Sequence, residues 1–469
     1  MNKEKIVKNL NKILNNKNII YDNLELDKYN KDWRGFFNFK CICAIFPETK
    51  EEIEKIVLFC NKNDIKIIPQ GGNTSLTGSS VPTKDNYEII LNLRKLNKII
   101  KLDKQNELIE VESGVTLDSV KEYADKNNFY FPISLTSSGS CQIGGNIATN
   151  AGGINALKYG SMIENVRGIS VILADGSNIE CMSPMKKNNT GYNIKNLFIG
   201  SEGTLGIIYK CLLKIYPKPK DYFHCMIAFN SIPNNINFFI MIRSFFVEQI
   251  ESAEIIPKIA IDLTIKHGYL KKSFFNNQYE SFLLLKFSLY EEKENFEKLF
   301  IEKLVTLSHK YEDLIIPKSI NQENNLWKFR DDLVESYKLE GKYITNDISL
   351  PLDKMSEFIE KTSKEIKKID SNIRIYPFGH LGDGNIHFNM ILPENLNNDF
   401  DFLRDRIYKI VNDSVFSFGG SFSAEHGIGI IKKNSFEKYK DNNEIAIMKK
   451  IKISLDPNNI MNPGKIFNL

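Results

Sequence analysis

Three stretches crowded with small residues, each fastened to an apolar run, constrain this chain of 469 residues more than any other feature. The first is Pro69-Gln70-Gly71-Gly72-Asn73-Thr74-Ser75-Leu76-Thr77-Gly78, directly after the strand-like Ile65-Lys66-Ile67-Ile68. Consecutive glycines let backbone N–H groups converge on an anion, because no Cβ blocks approach and positive φ costs little. Thr74 and Ser75 add hydroxyl donors, so the loop reads as a diphosphate cradle or as a plain glycine-rich turn. It is not a Walker A loop, since no Gly-Lys-Ser/Thr follows, and the Gly-x-Gly-x-x-Gly order of a Rossmann site is absent. The second stretch runs from Ser137 to Gly153 and the third from Phe198 to Ile207. Turns alone do not explain three such loops in one half of a chain; a flat group approaching the backbone does.

Around these loops the first half alternates short β-rich runs with helical patterns. Ile65–Pro69 and Glu88–Asn92 read as strands, Lys50–Asn61 and Thr116–Asn127 as helices. Near Lys218-Pro219-Lys220 glycine becomes scarce, and amphipathic segments such as Glu292–Tyr311 and Leu352–Lys368 suggest helices laid on an antiparallel sheet. Glycine returns at 379–384 and 419–429. The expected organisation is a cofactor domain over 1–219, a substrate or cap domain over 220–418, and a C-terminal segment over 419–469 that returns to the first.

Net charge is only +4 on 62 basic and 58 acidic side chains, too mild to imply a nucleic-acid partner, which usually shows a concentrated basic face. No run approaches the ~18 apolar residues of a membrane span. The N-terminus reads as an amphipathic helix and not as a targeting segment. The 7 cysteines lack framework spacing and suggest reduced thiols in a cytoplasm-like compartment, with peripheral attachment at an inner membrane as the variant reading. Cys41-x-Cys43 lies in an alternating run that should point both thiols to one face as structural residues.

Of 6 histidines, three fall in glycine-rich sequence. In Gly379-His380-Leu381-Gly382-Asp383-Gly384-Asn385-Ile386-His387, Asp383-Gly384 is a two-residue hairpin signal. Centring the hairpin there opposes His380 to His387, close enough either to share one ion or to make ordinary hydrogen bonds. Asn389 points to the same face as His387. The third ligand candidate is Glu425, in Ser421-Phe422-Ser423-Ala424-Glu425-His426-Gly427. Two histidines and a carboxylate suit Zn²⁺, or Mn²⁺, and leave coordination positions open.

From about Asp32-Trp33-Arg34-Gly35 to the C-terminus, the three loops and the histidine segments resemble the FAD-linked D-2-hydroxyacid dehydrogenases. That is the D-lactate, glycolate and D-2-hydroxyglutarate dehydrogenase group of the vanillyl-alcohol oxidase superfamily. The resemblance implies an α+β fold: a PCMH-type FAD-binding domain of two subdomains and a cap domain whose antiparallel sheet is flanked by helices. It implies that Gly71, Gly72, Asn73, Thr74, Ser75 and Gly78 wrap the FAD diphosphate. Ser138, Gly139, Gly144, Gly145, Asn146, Thr149, Gly203 and Ile207 would line the remaining cofactor. The first loop has no His or Cys to tether a flavin, and Cys141 is poorly suited to do so, so the expected FAD is non-covalent.

The same resemblance gives His380, His387 and Glu425 as metal ligands, His426 as the general base, and Arg330 and Asn389 as substrate contacts. Coordination acidifies the substrate hydroxyl, His426 takes its proton, and the hydride passes to flavin N5. The bare sequence reads Arg330 more simply as a helix-surface arginine. One departure bears on the substrate: before Asp347-Ile348-Ser349, where members of the group carry a lysine, this chain has Thr345. The expected partners are a 2-hydroxy acid and an external acceptor (a quinone, cytochrome or electron-transfer flavoprotein), with a homodimer as the assembly. An oxidase of the same fold that reduces O₂ would share every feature. A non-catalytic FAD-binding subunit would have no need of His380, His387, Glu425 and His426.

Overall fold

The structure, a computed structural model, describes residues 1–85, 87–393 and 400–469. The chain divides into two compact units, one formed by Met1–Gly153, Tyr159–Lys218 and Glu425–Leu469, the other by Ile154–Lys158 and Pro219–Ala424. No sequence signal marks the five-residue excursion 154–158 into the second unit.

The first unit holds two sheets. In one, the strands run in the order Ile19–Ile20, Ala44–Ile45, Glu88–Asn92, Lys66–Gln70, and the last three are parallel. The helix Lys50–Lys62 supplies the crossover. It starts where the Thr49 hydroxyl accepts the Glu52 N–H, with Glu51 and Glu52 at its positive end. It buries Ile53, Ile56, Val57 and Cys60, the i, i+3, i+4, i+7 stripe of an amphipathic helix. The other sheet is antiparallel, in the order Ile99–Asp103, Leu108–Glu112, Ile207–Lys214, Val166–Ile172, Asn178–Cys181. These are the two subdomains expected of the cofactor domain, each with its own apolar core.

The expectation for Cys41-x-Cys43 is corrected. Every residue from Cys41 to Phe46 is buried, and only Ala44–Ile45 is regular strand. Cys41 packs with Ala44 and Phe46, whereas Cys43 packs in the cluster of Ile42 and Ile45. The backbone bends before the strand begins, so period-two alternation does not carry across the two thiols. All 7 cysteines are free.

The second unit is built on an antiparallel sheet. Its order is Asp313–Ile315, Asp221–Phe229, Ser281–Leu289, Ile250–Pro257, Arg374–His380, Asn385–Ile391, Tyr343–Ile344, and Asp347–Ser349 also pairs with Asn385–Ile391. Residues of Ile232–Phe245, Lys293–Thr306, Leu352–Lys367 and Phe400–Ser417 join one core, and those of Lys258–Lys266 and Ile320–Lys338 join the other. Helices thus cover both faces, which is why the central strands Ile250–Pro257 and Ser281–Leu289 are buried almost throughout. Phe223, Phe246, Phe287, Phe296 and Phe300 interlock in the larger core, with centroids such as Phe223–Phe300 at 5.0 Å and Phe287–Phe296 at 5.1 Å. Among the described residues, no helix is long and apolar enough to cross a membrane.

Candidate active site

The three glycine-rich loops converge within the first unit. A Cβ on Gly72 would lie 1.9 Å from the Ser140 carbonyl oxygen, so the first and second loops touch backbone to backbone there and only glycine fits. The third loop is tied to the second through Gly200 N–H to Ile147 O (3.0 Å) and Glu202 N–H to Ala148 O (2.7 Å). The Asn462 amide then joins the first loop to the third, donating to Ser79 O at 2.9 Å and to Glu202 O at 2.6 Å.

Within this junction the expected cofactor residues differ in what they offer. Residues 71–76 keep a half-exposed backbone, and Asn73 holds φ +55° with its amide donating to Lys31 O at 2.8 Å. Ser75 Oγ bonds Ser79 Oγ at 2.7 Å, which stiffens the turn up to Gly78. Ser138 and Gly145 are half-exposed and Gly139 is exposed, whereas Gly144 is buried against Ser113. Thr149 Oγ1 donates to Gly145 O at 3.0 Å. Asn146 is 4% exposed with its amide on Cys141 Sγ at 3.6 Å, and Ile207 is fully buried, so their side chains belong to the interior. Gly203 packs on Pro69. Burial raises the Cys141 thiol pKa, which suppresses the nucleophilic thiolate. Two observations fit a flat, polar-edged cofactor. Among the described residues, nothing lies within 4 Å of where a Gly145 Cβ would stand, and none is a hydrogen-bond partner of the buried Gln142 Oε1, 3.4 Å from a Cβ on Gly71.

Sequence reasoning missed Glu202, a charged residue among small ones in the third loop. It is 5% exposed at φ +52°, and its carboxylate accepts the Ile428 N–H (2.7 Å) and the Gly429 N–H (2.9 Å). Burial pushes its pKa up to about 6, although those bonds and the charges of Lys465 and Lys432 oppose the rise. The clamp fixes the backbone just after Glu425 and His426. His426 is half-buried with its carbonyl accepting Thr77 Oγ1–H at 3.2 Å, and Glu425 Oε1 accepts the Gly153 N–H at 2.9 Å. A carboxylate oxygen of Glu425 and a ring nitrogen of His426 lie within 4.8 Å.

In the second unit the sheet sets His380, His387 and Asn389 on one face and the helix Ile320–Lys338 brings Arg330 onto Phe378 of that face, but not by the expected register. His387 opposes Phe378, and His380 opposes Glu254 on the neighbouring strand. The tight Asp383-Gly384 hairpin is replaced by a wider turn, Leu381–Asp383 forming a 3₁₀ turn closed by Gly384 at φ +78°. A Cβ on Gly384 would stand 2.3 Å from Leu350 O, and one on Gly382 2.4 Å from Leu157, so packing against other segments sets the turn. The slip is two residues, which preserves the face. The two imidazole rings still meet edge to face at 5.5 Å, with a nitrogen of each within 4.8 Å of the other.

Glu254, also missed, is the hub of this cluster. It is 1% exposed; Oε1 pairs with His380 Nδ1 at 2.5 Å and Oε2 with Arg330 Nε at 2.6 Å. Burial alone would raise its pKa, but the Arg330 guanidinium and His380 hold it at about 2. Its strand, Ile250–Pro257, carries two buried acidic residues, Glu251 and Glu254, so sequence alone does not single it out. With Nδ1 engaged by a carboxylate, Nε2 is the ring nitrogen that His380 could offer to a cation, since metal-bound histidines usually hold a carboxylate or carbonyl on the other nitrogen. Arg330 is 8% exposed, which corrects the surface reading, and stands over the Phe378 ring at 5.3 Å. Asn389 is 3% exposed, with Oδ1 accepting the Asn346 N–H at 3.1 Å. Ser349 and Ser421 form a bridge, and the Ala424 N–H donates to Asp347 O at 3.3 Å, Asp347 being the strand partner of His387. Ala424 is therefore held beside Asp347–Ser349, the strand paired with that of His387.

A family model described as "FAD linked oxidases, C-terminal domain" matches residues 218–466, and one described as "FAD binding domain" matches residues 42–182. A zebrafish protein named D-2-hydroxyglutarate dehydrogenase, mitochondrial, is 33% identical over 94% of this chain and 81% of its own length. A rice protein named probable D-2-hydroxyglutarate dehydrogenase, mitochondrial, is 31% identical over 97% and 80%, and a Saccharomyces cerevisiae D-2-hydroxyglutarate–pyruvate transhydrogenase is 32% identical over 94% and 89%. Among solved structures, p-cresol methylhydroxylase superposes with TM-score 0.78 at 18% identity, over 99% of this chain and 97% of that one. Alkyldihydroxyacetonephosphate synthase superposes with TM-score 0.74 at 17% identity, over 98% and 84%. Those two share the fold. On the family match and the length and identity of these relatives, the chain belongs to the FAD-linked oxidases, in the D-2-hydroxyacid dehydrogenase group with a PCMH-type FAD-binding fold, and is an FAD-dependent oxidoreductase.

Proposed function

We propose that this chain oxidises a D-2-hydroxy acid to the 2-keto acid, with non-covalent FAD and a divalent cation, Zn²⁺ or Mn²⁺, held by His380, His387 and Glu425. The observation that carries the reading is the His380–His387 pair with the Glu254 carboxylate on His380 Nδ1. Bound FAD supplies the hydride acceptor, and the cation lowers the pKa of the substrate hydroxyl. His426 takes the hydroxyl proton, on a loop that Glu202 keeps in place. Arg330 grips the substrate carboxylate through its guanidinium, and Asn389 orients the substrate. The names of the relatives favour 2-hydroxyglutarate as substrate, whereas Thr345, standing where a lysine is common, favours a monocarboxylate. Electrons leave to an external acceptor, and the free cysteines suit a reducing compartment.

The test is anaerobic bleaching of the flavin absorbance by a panel of D- and L-2-hydroxy acids that includes 2-hydroxyglutarate and lactate, before and after EDTA. Bleaching by a D-acid that EDTA abolishes and Zn²⁺ or Mn²⁺ restores is the expected result. Bleaching by none overturns the substrate class, and indifference to EDTA overturns the metal. His426→Ala should keep FAD and metal while turnover falls by roughly 10²–10⁴. Near-normal turnover in that variant removes His426 from the base role.

A further inference from the structure

Glu254 does something neither the sequence nor the proposed mechanism assigns to it. Each oxygen of this 1%-exposed carboxylate has its own cationic or protic partner: His380 Nδ1 at 2.5 Å and Arg330 Nε at 2.6 Å. A buried carboxylate is retained at a large desolvation cost, offset here only because both partners are held in place. A second path closes the circuit: the Arg330 guanidinium lies over Phe378 at 5.3 Å, and Phe378 packs on His387 at 5.0 Å. His380, Glu254, Arg330, Phe378 and His387 form one ring of contacts within the second unit, and Glu254 is its only acidic member.

We propose that Glu254 is a positioning residue that sets the metal ligand His380 and the substrate-carboxylate arginine Arg330 at once, through its two oxygens. The proposal rests on the ligand and substrate roles given above. By holding Nδ1 it fixes the tautomer and the ring rotation of His380, so that Nε2 faces the ion. By holding Nε it fixes the plane of the guanidinium, leaving the terminal nitrogens for a carboxylate. The distance between cation and arginine, which must match the separation of hydroxyl and carboxylate in a 2-hydroxy acid, is then set by one side chain. Glu254 touches neither ion nor substrate; it acts through its two partners.

The experiment compares wild type with Glu254→Gln and Glu254→Asp as FAD-loaded full chains. It measures the Zn²⁺ dissociation constant by chelator competition without substrate, KM and kcat separately, and the thermal midpoint. The glutamine variant keeps the shape but faces one donor with its own NH₂; the aspartate variant keeps the charge but is too short to reach both partners. Both variants should bind Zn²⁺ roughly 10–100-fold more weakly. KM should rise when Zn²⁺ is saturating, and Glu254→Asp, which keeps the charge beside at least one partner, should lower the midpoint yet remain folded. If Glu254→Gln does not fold, Glu254→Asp decides. Zn²⁺ affinity and KM within twofold of wild type in a folded variant overturn the positioning role. A wild-type chain that takes up no Zn²⁺ overturns the ligand set itself, and that failure is read from the wild-type control alone.

Discussion

The pH dependence of the second unit's stability should be governed by His224. Its imidazole, 6% exposed on the strand Asp221–Phe229, accepts the Trp327 Nε1–H on Nδ1 at 2.9 Å. An N–H can point only at a lone pair, so the contact requires the neutral ring. Burial pushes the pKa from the usual 6.5 to about 3, and the like charges of Lys286 and Lys293 push the same way. Glu323, 3.8 Å from Nε2, pulls the other way, but it is already engaged by Lys293 at 2.7 Å. Because the folded pKa of this base is depressed, the unfolded chain binds the extra proton between pH 6.5 and 3. The stabilisation is therefore complete above pH 6.5 and is lost as pH falls through that window, at about 1.4 kcal/mol per unit. Between pH 8 and pH 4.5 the loss reaches about 2.7 kcal/mol. In His224→Asn the amide oxygen can still accept the indole N–H, but nothing titrates. The variant should be less stable at pH 8 by roughly 1–3 kcal/mol, since it leaves a cavity, yet lack that share of the acid sensitivity. Urea unfolding followed by tryptophan fluorescence reads this directly, because the chain has 2 tryptophans and the other, Trp33, is 67% exposed. Parallel stability–pH curves for wild type and variant would refute the reasoning.

Gly72→Ala places a methyl 1.9 Å from the Ser140 carbonyl, so it should part the first two loops and yield protein with a sharply lowered flavin-to-protein ratio after gel filtration. Gly145→Ala meets nothing within 4 Å and should keep the thermal midpoint while weakening FAD retention; unchanged FAD affinity would show that the flavin does not pack there. Phe296→Ala removes a 1%-exposed ring in contact with four other phenylalanines and should cost about 3–5 kcal/mol in urea unfolding.

Much of the fold was legible because its elements obey local rules. The helix over Lys50–Lys62 has a capping threonine and one apolar stripe, so both its limits and its face follow from sequence. The sequence spacing likewise anticipates Leu352–Lys367, whose buried Met355, Phe358, Ile359, Thr362 and Ile366 keep the helical period. The cysteine run failed because burial on both sides erases the alternation from which a face is read. Glu202 and Glu254 stayed hidden for a different reason. An acidic residue is unremarkable in sequence, and its role comes from partners far along the chain, Ile428 and Gly429 for Glu202, Arg330 and His380 for Glu254. The bare sequence reads Arg330 as a surface residue for the same cause: its helix, Ile320–Lys338, is mostly polar, and only the tertiary ion pair makes burial tolerable.

The histidine pair shows why a wrong register can still deliver a right neighbourhood. Side chains on a strand alternate, so the face a residue presents depends only on its parity relative to its partner. The expected pairing set His380 against His387; the observed one sets Phe378 there, two residues earlier. An even slip moves the partner along the strand by about 6.8 Å without changing face. His380 remains in its strand, its backbone opposite Glu254, and its ring meets that of His387 at 5.5 Å. A one-residue slip between these two strands would instead have turned His387 and Asn389 to the opposite face, away from His380 and Arg330. An odd slip thus separates the two imidazoles onto opposite faces of the sheet, whereas an even slip keeps them on one face at a different spacing.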